Sequence, residues 1–391
     1  MEKIYLDWAA TAPLDPEIAP DMVEMYLHSY GNPSSTHSVG RAAHTVLERS
    51  RELCASLLKV EARQLVFTSG GTESNTLPLL ALIRQKSRGE IVLSKIEHSA
   101  VYELSSLFRE LGYQIKEVMP DENGVIQAAA VRKQLSQDTV VVAIMLVNNE
   151  VGSIQPIEEI AQEIRRYERQ QKIRIHFHCD AVQGLGKLSI EPQKLGVDSM
   201  AFSGHKFMGP KGVGLLFTHR DFIPLASGGG QEYGLRPGTE NVPGIWAFTA
   251  ALKKRYENMN AEYAHVRELR DALFEHLRAI EGVTPFPLKR ESMPADIFSP
   301  YITALSVAPV PGEICARVLN DRGFAVGTGS ACSSNRRKKS GRVIYAMTSD
   351  EKTAQGIIRI SFGPATRVSE VESFAATLKQ ELKLLRQTVC R

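Results

Sequence analysis

The chain has 391 residues, 43% of them hydrophobic and 23% charged, which excludes a disordered or fibrous protein and allows two or three domain-sized units. A formal net charge of +3 is too small to argue for nucleic acid by itself. The opening Met1 to Asp7 carries no apolar leader, and the longest aliphatic run, Val140 to Val147, is eight residues, so neither a signal peptide nor a membrane span is expected.

Tyr5-Leu-Asp-Trp-Ala-Ala-Thr-Ala-Pro13 predicts a short strand ending in a turn, and Gly31 to His37 a turn-rich loop. From Val39 to Val60 the apolar residues recur at helical spacing, with Val46, Leu53, Leu57 and Leu58 on one side and Cys54 within that face. Gln64 to Asn75 reads as a strand, a small-residue turn and a helix opening with Thr72, Glu73 and Ser74. Such a helix start aims bare N–H groups and a positive dipole end outward, and so favours a phosphate, although any capped helix looks similar. Residues 90 to 95 form a further strand leading to His98, a position where a satisfied polar histidine is the plainer reading. Thr139 to Val147 predicts a buried parallel strand; Asn149, just past its end, reads by itself as a turn residue making an Asx hydrogen bond.

Ile173 to Asp180 has a period of two, with Ile173, Ile175, Phe177 and Cys179 facing one way and Arg174, His176, His178 and Asp180 the other. The two histidines and the aspartate could be read as a metal triad, but no further ligand is evident and no metal is expected. Residues 197 to 202 are a short buried strand, after which Ser203-Gly204-His205 turn the chain off the sheet edge where α/β folds place ligands. A lysine there, Lys206, is desolvated by the core beneath it and can offer a neutral amine to an aldehyde cofactor; a plain surface lysine is the alternative. Lys211, in Gly209 to Gly214, is a second lysine in the same loop. Gly228 to Asn241 is a glycine-rich loop able to approach an anion.

Residues 246 to 281 predict a long helix, with a domain change near residue 255; strands and helices then alternate. Gly327 to Ser334 places Cys332 among small residues with no apolar face to bury it. Arg359 lies in an otherwise apolar strand, where it needs an anionic partner: a ligand, or a structural ion pair. Asn335 to Arg342 is a basic run that reads either as solvated surface or as a means of steering an acidic partner. Five cysteines (54, 179, 315, 332 and 390) with no C-x-x-C pair predict neither a disulfide framework nor a zinc site, and fit a reducing, cytoplasmic setting.

Ser203-Gly-His-Lys206 closely resembles the pyridoxal-phosphate lysine motif of the cysteine desulfurases, the NifS/IscS-like branch of the class V, fold type I aminotransferases. The resemblance runs in matching order from Tyr5-Leu-Asp7 to Arg359. It implies an α/β fold: a large cofactor domain, 16–255, with a mainly parallel sheet flanked by helices, and a smaller α/β domain, 1–15 and 256–391, carrying the cysteine loop. It implies that pyridoxal 5'-phosphate is carried on Lys206 between Ser203 and His205, with its phosphate held by Gly71 and Thr72. His98 would lie against the pyridine ring, Asp180 would pair with the ring nitrogen, Gln183 would bond the ring oxygen, and Asn149 would sit beside cofactor and substrate. Thr239 would reach the phosphate of the neighbouring subunit of a homodimer, while Tyr233 stands where the family commonly has arginine. The implied activity converts L-cysteine to L-alanine, with the substrate carboxylate on Arg359, Lys206 as base, and sulfur taken up by Cys332. An iron-sulfur scaffold or a tRNA-thiolation enzyme would accept that sulfur; direct nucleic-acid binding is not expected. Selenocysteine lyase or another lyase with this cofactor, and a catalytically weak platform for sulfur-accepting partners, are the alternatives.

Overall fold

The computed structural model describes residues 3–84, 89–219, 222–294, 296–328 and 341–389. Short apolar segments supply twelve strands: β1 (Ile4–Leu6), β2 (Leu65–Thr68), β3 (Glu90–Ser94), β4 (Gln114–Val118), β5 (Thr139–Ala143), β6 (His176–Asp180), β7 (Ser199–Ser203), β8 (Gly214–Thr218), β9 (Thr284–Phe286), β10 (Ile302–Ser306), β11 (Phe324–Thr328) and β12 (Ile357–Ser361). Seven of them form one sheet in the order β2-β8-β7-β6-β5-β3-β4. Neighbours are parallel from β4 to β7, and β8 alone runs against both of its neighbours. Strands β2, β3, β7 and β8 are buried at every position, as continuous apolar runs must be when helices cover both faces. Leu47, Cys54 and Leu58 of the helix Ser38–Leu58 and Phe248 of the helix Val242–Leu277 close this core over Phe177, Phe202 and Phe217.

Two strands fall several residues short of what the sequence predicts. The β5 ladder stops at Ala143, yet the chain keeps company with β6, since Ile144 and Leu146 donate backbone N–H to the carbonyls of His178 and Asp180 (3.1 and 2.8 Å). β6 begins at His176 rather than Ile173, because its pairing with β5 starts at the His176–Val141 register.

The second sheet has the order β1-β11-β12-β10-β9, with β1 parallel to β11 and the other pairs antiparallel. The helix Val242–Leu277 serves both cores: Val242, Ile245 and Leu252 pack in the first, Val266, Leu269 and Leu273 in the second. Each such side chain contributes roughly 1.5–3 kcal/mol by leaving water, so one continuous helix fastens the two sheets together. Residue 255, where the sequence reading sets its domain change, lies between these halves of an unbroken helix; Arg255 is buried there and pairs with Asp15 (3.2 Å) and Glu262 (3.0 Å). Among the described residues no helix is long and apolar enough to cross a membrane.

The parallel strands β5, β6 and β7 all end at one edge, which brings Asn149, Asp180 and Lys206 to the crevice that α/β sheets use for ligands.

Candidate active site

Strand β7 hands the chain to a single 3-10 turn, Gly204–Lys206. Gly204 is needed there, because a Cβ would stand 2.8 Å from the Phe248 ring. The turn projects Lys206 at the opening segment of the chain, where its Nζ donates to the carbonyls of Ala9 (2.8 Å) and Ala10 (2.7 Å). The same segment grips the neighbouring residue: His205 Nδ1 lies 3.1 Å from Thr11 Oγ1, and its carbonyl accepts from Ala12 N (2.8 Å). Burial and the nearby Lys206 charge hold the His205 imidazole down to about 4. Gln183 Nε2 also donates to the Ala9 carbonyl (2.9 Å), while its Oε1 accepts from Lys187 Nζ (3.0 Å). Lys187 is buried, and desolvation together with the Lys206 and Arg359 charges brings its amine to about 7. The sequence reading misses Lys187; its only signal is a lysine one helical turn after Gln183 in an apolar stretch.

Asp180 ends β6 and is buried. Its Oδ2 accepts from Asn75 Nδ2 (2.8 Å) and its Oδ1 from Val182 N (3.0 Å). Burial raises its pKa against the pull of His98, those two donors and Lys206. His98 faces the same space; its Nδ1 accepts from Ala100 N (3.1 Å) and caps the short helix Ser99–Tyr102, which places the remaining proton of a neutral ring on Nε2. Burial lowers its pKa. His176 Nε2 bonds Ser199, His178 spends both nitrogens on Ser199 and Asn75, and among the described residues no group of three or more His, Cys, Asp or Glu could hold a metal.

Beside Lys206 a cleft of about 370 Å³ is lined by Thr11, Gly71, Thr72, Ser203, His205 and Lys211, among others. The helix Gly71–Leu80 opens into it, after Gly70 with φ +151°. A Cβ on Gly71 would come within 2.7 Å of Val182 Cγ2, so the glycine lets the helix start sit directly against the turn that follows Asp180. Lys211, the second lysine of the loop that carries Lys206, is brought by the structure to the cleft wall. Hydroxyls, a helix N-terminus and a cation suit a phosphate, and a carboxylate fixed by two donors suits a protonated pyridine nitrogen. The residues present therefore fit pyridoxal 5'-phosphate.

Across the crevice Arg359, on β12, donates from Nη1 to the Asn149 carbonyl (2.8 Å) and pairs through Nη2 with Asp7 Oδ1 (2.7 Å). Its buried Nε has no partner among the described residues. Gly327 makes room for this pair, since a Cβ would lie 2.7 Å from Asp7 Oδ1 and 2.9 Å from Arg359 Nη2. The Asx bonds expected at Asn149 belong to Asn148, whose Oδ1 accepts from Glu150 N and Val151 N (both 2.9 Å). Glu150 and Glu97 each keep one buried carboxylate oxygen unbonded among the described residues, and burial lifts them to about 7 and about 8. Arg342 donates to the carbonyls of Lys95 and Glu97 and lies 3.8 Å over the Tyr102 ring, so this member of the basic run is tied down next to His98.

Cys332, Cys390 and residues 335–340 lie outside the described residues. Cys54, Cys179 and Cys315 are buried, and desolvation pushes all three thiols up, Cys54 and Cys315 to about 12. Tyr233 lays its ring 5.0 Å from the guanidinium of Arg51, which is itself buried against Glu232 (2.8 Å). That pair fastens to β2 the loop carrying Thr239, which is exposed.

Residues 4–374 match the family described as Aminotransferase class-V. The chain is 35% identical over 389 residues to the cysteine desulfurase IscS of Dictyoglomus turgidum, covering 98% of this chain and 95% of that one. It is similar to a solved NifS-like protein at a TM-score of 0.89, with 34% identity and coverage of 98% of this chain and 100% of the other. A structure titled SspA in complex with cysteine matches at a TM-score of 0.79 with 28% identity, over 93% of this chain and 99% of that one. The family match spans both sheets, and the NifS-like likeness extends over the fold that presents Lys206, Asp180 and Arg359 to one crevice: this chain belongs to the class V aminotransferase family, among its cysteine desulfurases.

Proposed function

We propose that the chain is a cysteine desulfurase that uses pyridoxal 5'-phosphate to convert L-cysteine to L-alanine. The observation that carries this reading is the convergence, at one sheet edge, of an amine on two backbone carbonyls, a doubly held carboxylate and an anion cleft. In this reading Lys206 holds the cofactor aldehyde, while Gly71, Thr72, Ser203, His205 and the partner subunit's Thr239 bind its phosphate. Asp180 would keep the ring nitrogen protonated, Gln183 would donate to the ring oxygen, and His98 and Asn149 would lie beside the ring. When bound, the cofactor supplies an electron-withdrawing ring that stabilises negative charge developing at the substrate Cα. Arg359 holds the substrate carboxylate; its unbonded Nε is the donor left for this. The Lys206 amine, when not engaged by the cofactor, would serve as the base for the substrate Cα proton. Cys332, as thiolate, would attack the substrate sulfur: the S–S bond forms as the Cβ–S bond breaks, Cβ takes up a proton equivalent to the one given up by the substrate thiol, Lys206 returns the proton to Cα, and alanine leaves with the sulfur as a persulfide on Cys332. A thiol-bearing acceptor protein, such as an iron-sulfur scaffold or a tRNA-thiolation enzyme, then takes the sulfur in a cytoplasmic setting.

Lys206→Ala should lose both the visible absorption of the bound cofactor and all alanine formation. Cys332→Ala should bind the cofactor as the wild type does yet form little alanine, and mass spectrometry of the cysteine-treated wild type should find the extra sulfur on the Cys332 peptide. A Lys206→Ala protein that kept both band and turnover would overturn the assignment. Selenide release from selenocysteine with none from cysteine would favour the lyase alternative instead.

A further inference from the structure

His176 and His178 share a strand face with Asp180, and neither is used by the chemistry above. We propose that His176, Ser199, His178 and Asn75 form a one-directional hydrogen-bond chain that orients Asp180 and holds it as a carboxylate toward the cofactor ring. The links are His176 Nε2 to Ser199 Oγ (2.7 Å), Ser199 Oγ to His178 Nδ1 (2.7 Å), His178 Nε2 to Asn75 Oδ1 (2.8 Å) and Asn75 Nδ2 to Asp180 Oδ2 (2.8 Å). Ser199, His178 and Asn75 are 0–1% exposed, so water does not compete with these bonds.

The direction follows from what each group can give. An ionised carboxylate only accepts, so Asn75 must present its amide N–H to Asp180 and its oxygen to His178. That oxygen only accepts, so His178 carries its proton on Nε2. The bare Nδ1 then accepts from the Ser199 hydroxyl, whose oxygen is left to accept from His176 Nε2–H. Every N–H and O–H dipole points toward Asp180. A doubly protonated His178 would break the sequence, since Ser199 would then face N–H groups from both rings; burial agrees, holding His178 down to about 3. A protonated Asp180 is disfavoured too, because its O–H would meet Asn75 Nδ2 or Val182 N, both donors. The titratable neighbours of Asp180 in the crevice are His98 and Lys206, whose cationic forms favour its anion, and Glu97, whose ionised form opposes it. The register explains why the relay reaches the site: Ser199 is the β7 partner of His178, and Asn75 comes from the helix Gly71–Leu80 whose start faces the anion cleft.

This inference rests on the cofactor reading above, and the experiment separates the two. Apoprotein is titrated with pyridoxal 5'-phosphate, followed by its visible absorption and by equilibrium dialysis, with melting of each apoprotein measured alongside. If the wild type itself binds no cofactor, the functional reading fails. If it does, His178→Phe and Asn75→Leu should weaken binding on the order of tenfold to a hundredfold, as expected for a lost bond in a chain ending on a charge. They should also shift the pH dependence of the bound cofactor's absorption. His178→Gln, which can still donate to Asn75, should recover most of the affinity, and Ser199→Ala should give a smaller loss with the ring retained. Wild-type affinity and pH profile in His178→Phe and Asn75→Leu would overturn the proposal. So would losses that follow the apoprotein melting temperature across all four variants, for the chain would then be packing alone.

Discussion

The two walls of the crevice handle polarity in opposite ways. On the large-sheet side, the polar groups behind Asp180 close on one another, each donor meeting an acceptor at 2.7–3.0 Å. Facing it, Arg359 Nε is buried and unbonded among the described residues, as are Oε2 of Glu97 and Glu150 on the loops that follow β3 and β5. Leaving such groups unmatched costs about 1–3 kcal/mol each, so a fold keeps them only where something else is to be met there. The closed wall suits a cofactor that stays; the open wall suits a substrate carboxylate that arrives and leaves.

The largest test of this contrast is Arg359→Ala. If its free Nε and the Asp7-held fork receive the substrate, kcat/KM for cysteine should fall roughly a hundredfold, from a loss of about 3 kcal/mol, mostly through KM. Cofactor binding should change little. A variant that melts earlier but keeps its KM would make Arg359 an ion-pair residue only.

Stability against pH should separate the unbonded groups from the bonded ones next. Glu97 is lifted from 4.5 to about 8 and Glu150 to about 7, so in the folded protein both keep a proton that the unfolded chain releases above about 4.5. Their contribution is complete below that pH and is lost as pH rises through about 7 to 8. His178 and His205 are held at about 3 and about 4, against 6.5 unfolded; their contribution is present above about 6.5 and is lost as pH falls toward those values. Melting of the apoprotein across pH 4 to 9 should therefore decline on both sides. Glu97→Gln should flatten the alkaline limb by an amount on the order of a few kcal/mol, and leave the acid limb in place. An unchanged alkaline limb would show that Glu97 is ionised in the folded protein.

Smallest is the effect of Tyr233→Ala. The ring adds a cation–π contact to an Arg51 that already donates to Glu232 and the Leu65 carbonyl, so the expected loss is about 0.5–1 kcal/mol in a melting experiment. A loss of several kcal/mol would mean that the tyrosine, rather than the buried ion pair, holds the glycine-rich loop in place.

Much of this was legible in the amino-acid order. Apolar runs of strand length ending in Asn149, Asp180 and Lys206 place those residues at one sheet edge, because parallel strands of like direction end together. The period of two in β6 puts His176, His178 and Asp180 on one face and buries Cys179 on the other. Gly70 marks a turn at positive φ, and Gly71 and Gly204 mark close approaches that any side chain would obstruct. Partners distant in sequence could not be read in this way. Nothing in the order of residues tells that Ala9 and Ala10 carbonyls receive Lys206, that Asn75 turns His178 toward Asp180, or that Asp7 takes one arm of Arg359. Those contacts join residues from about one hundred to three hundred and fifty positions apart, and a side chain's donor and acceptor inventory fits many partners equally well. The sequence decides which groups must be satisfied; only the packing of the two sheets on one shared helix decides by whom, and which atoms are left open to a ligand.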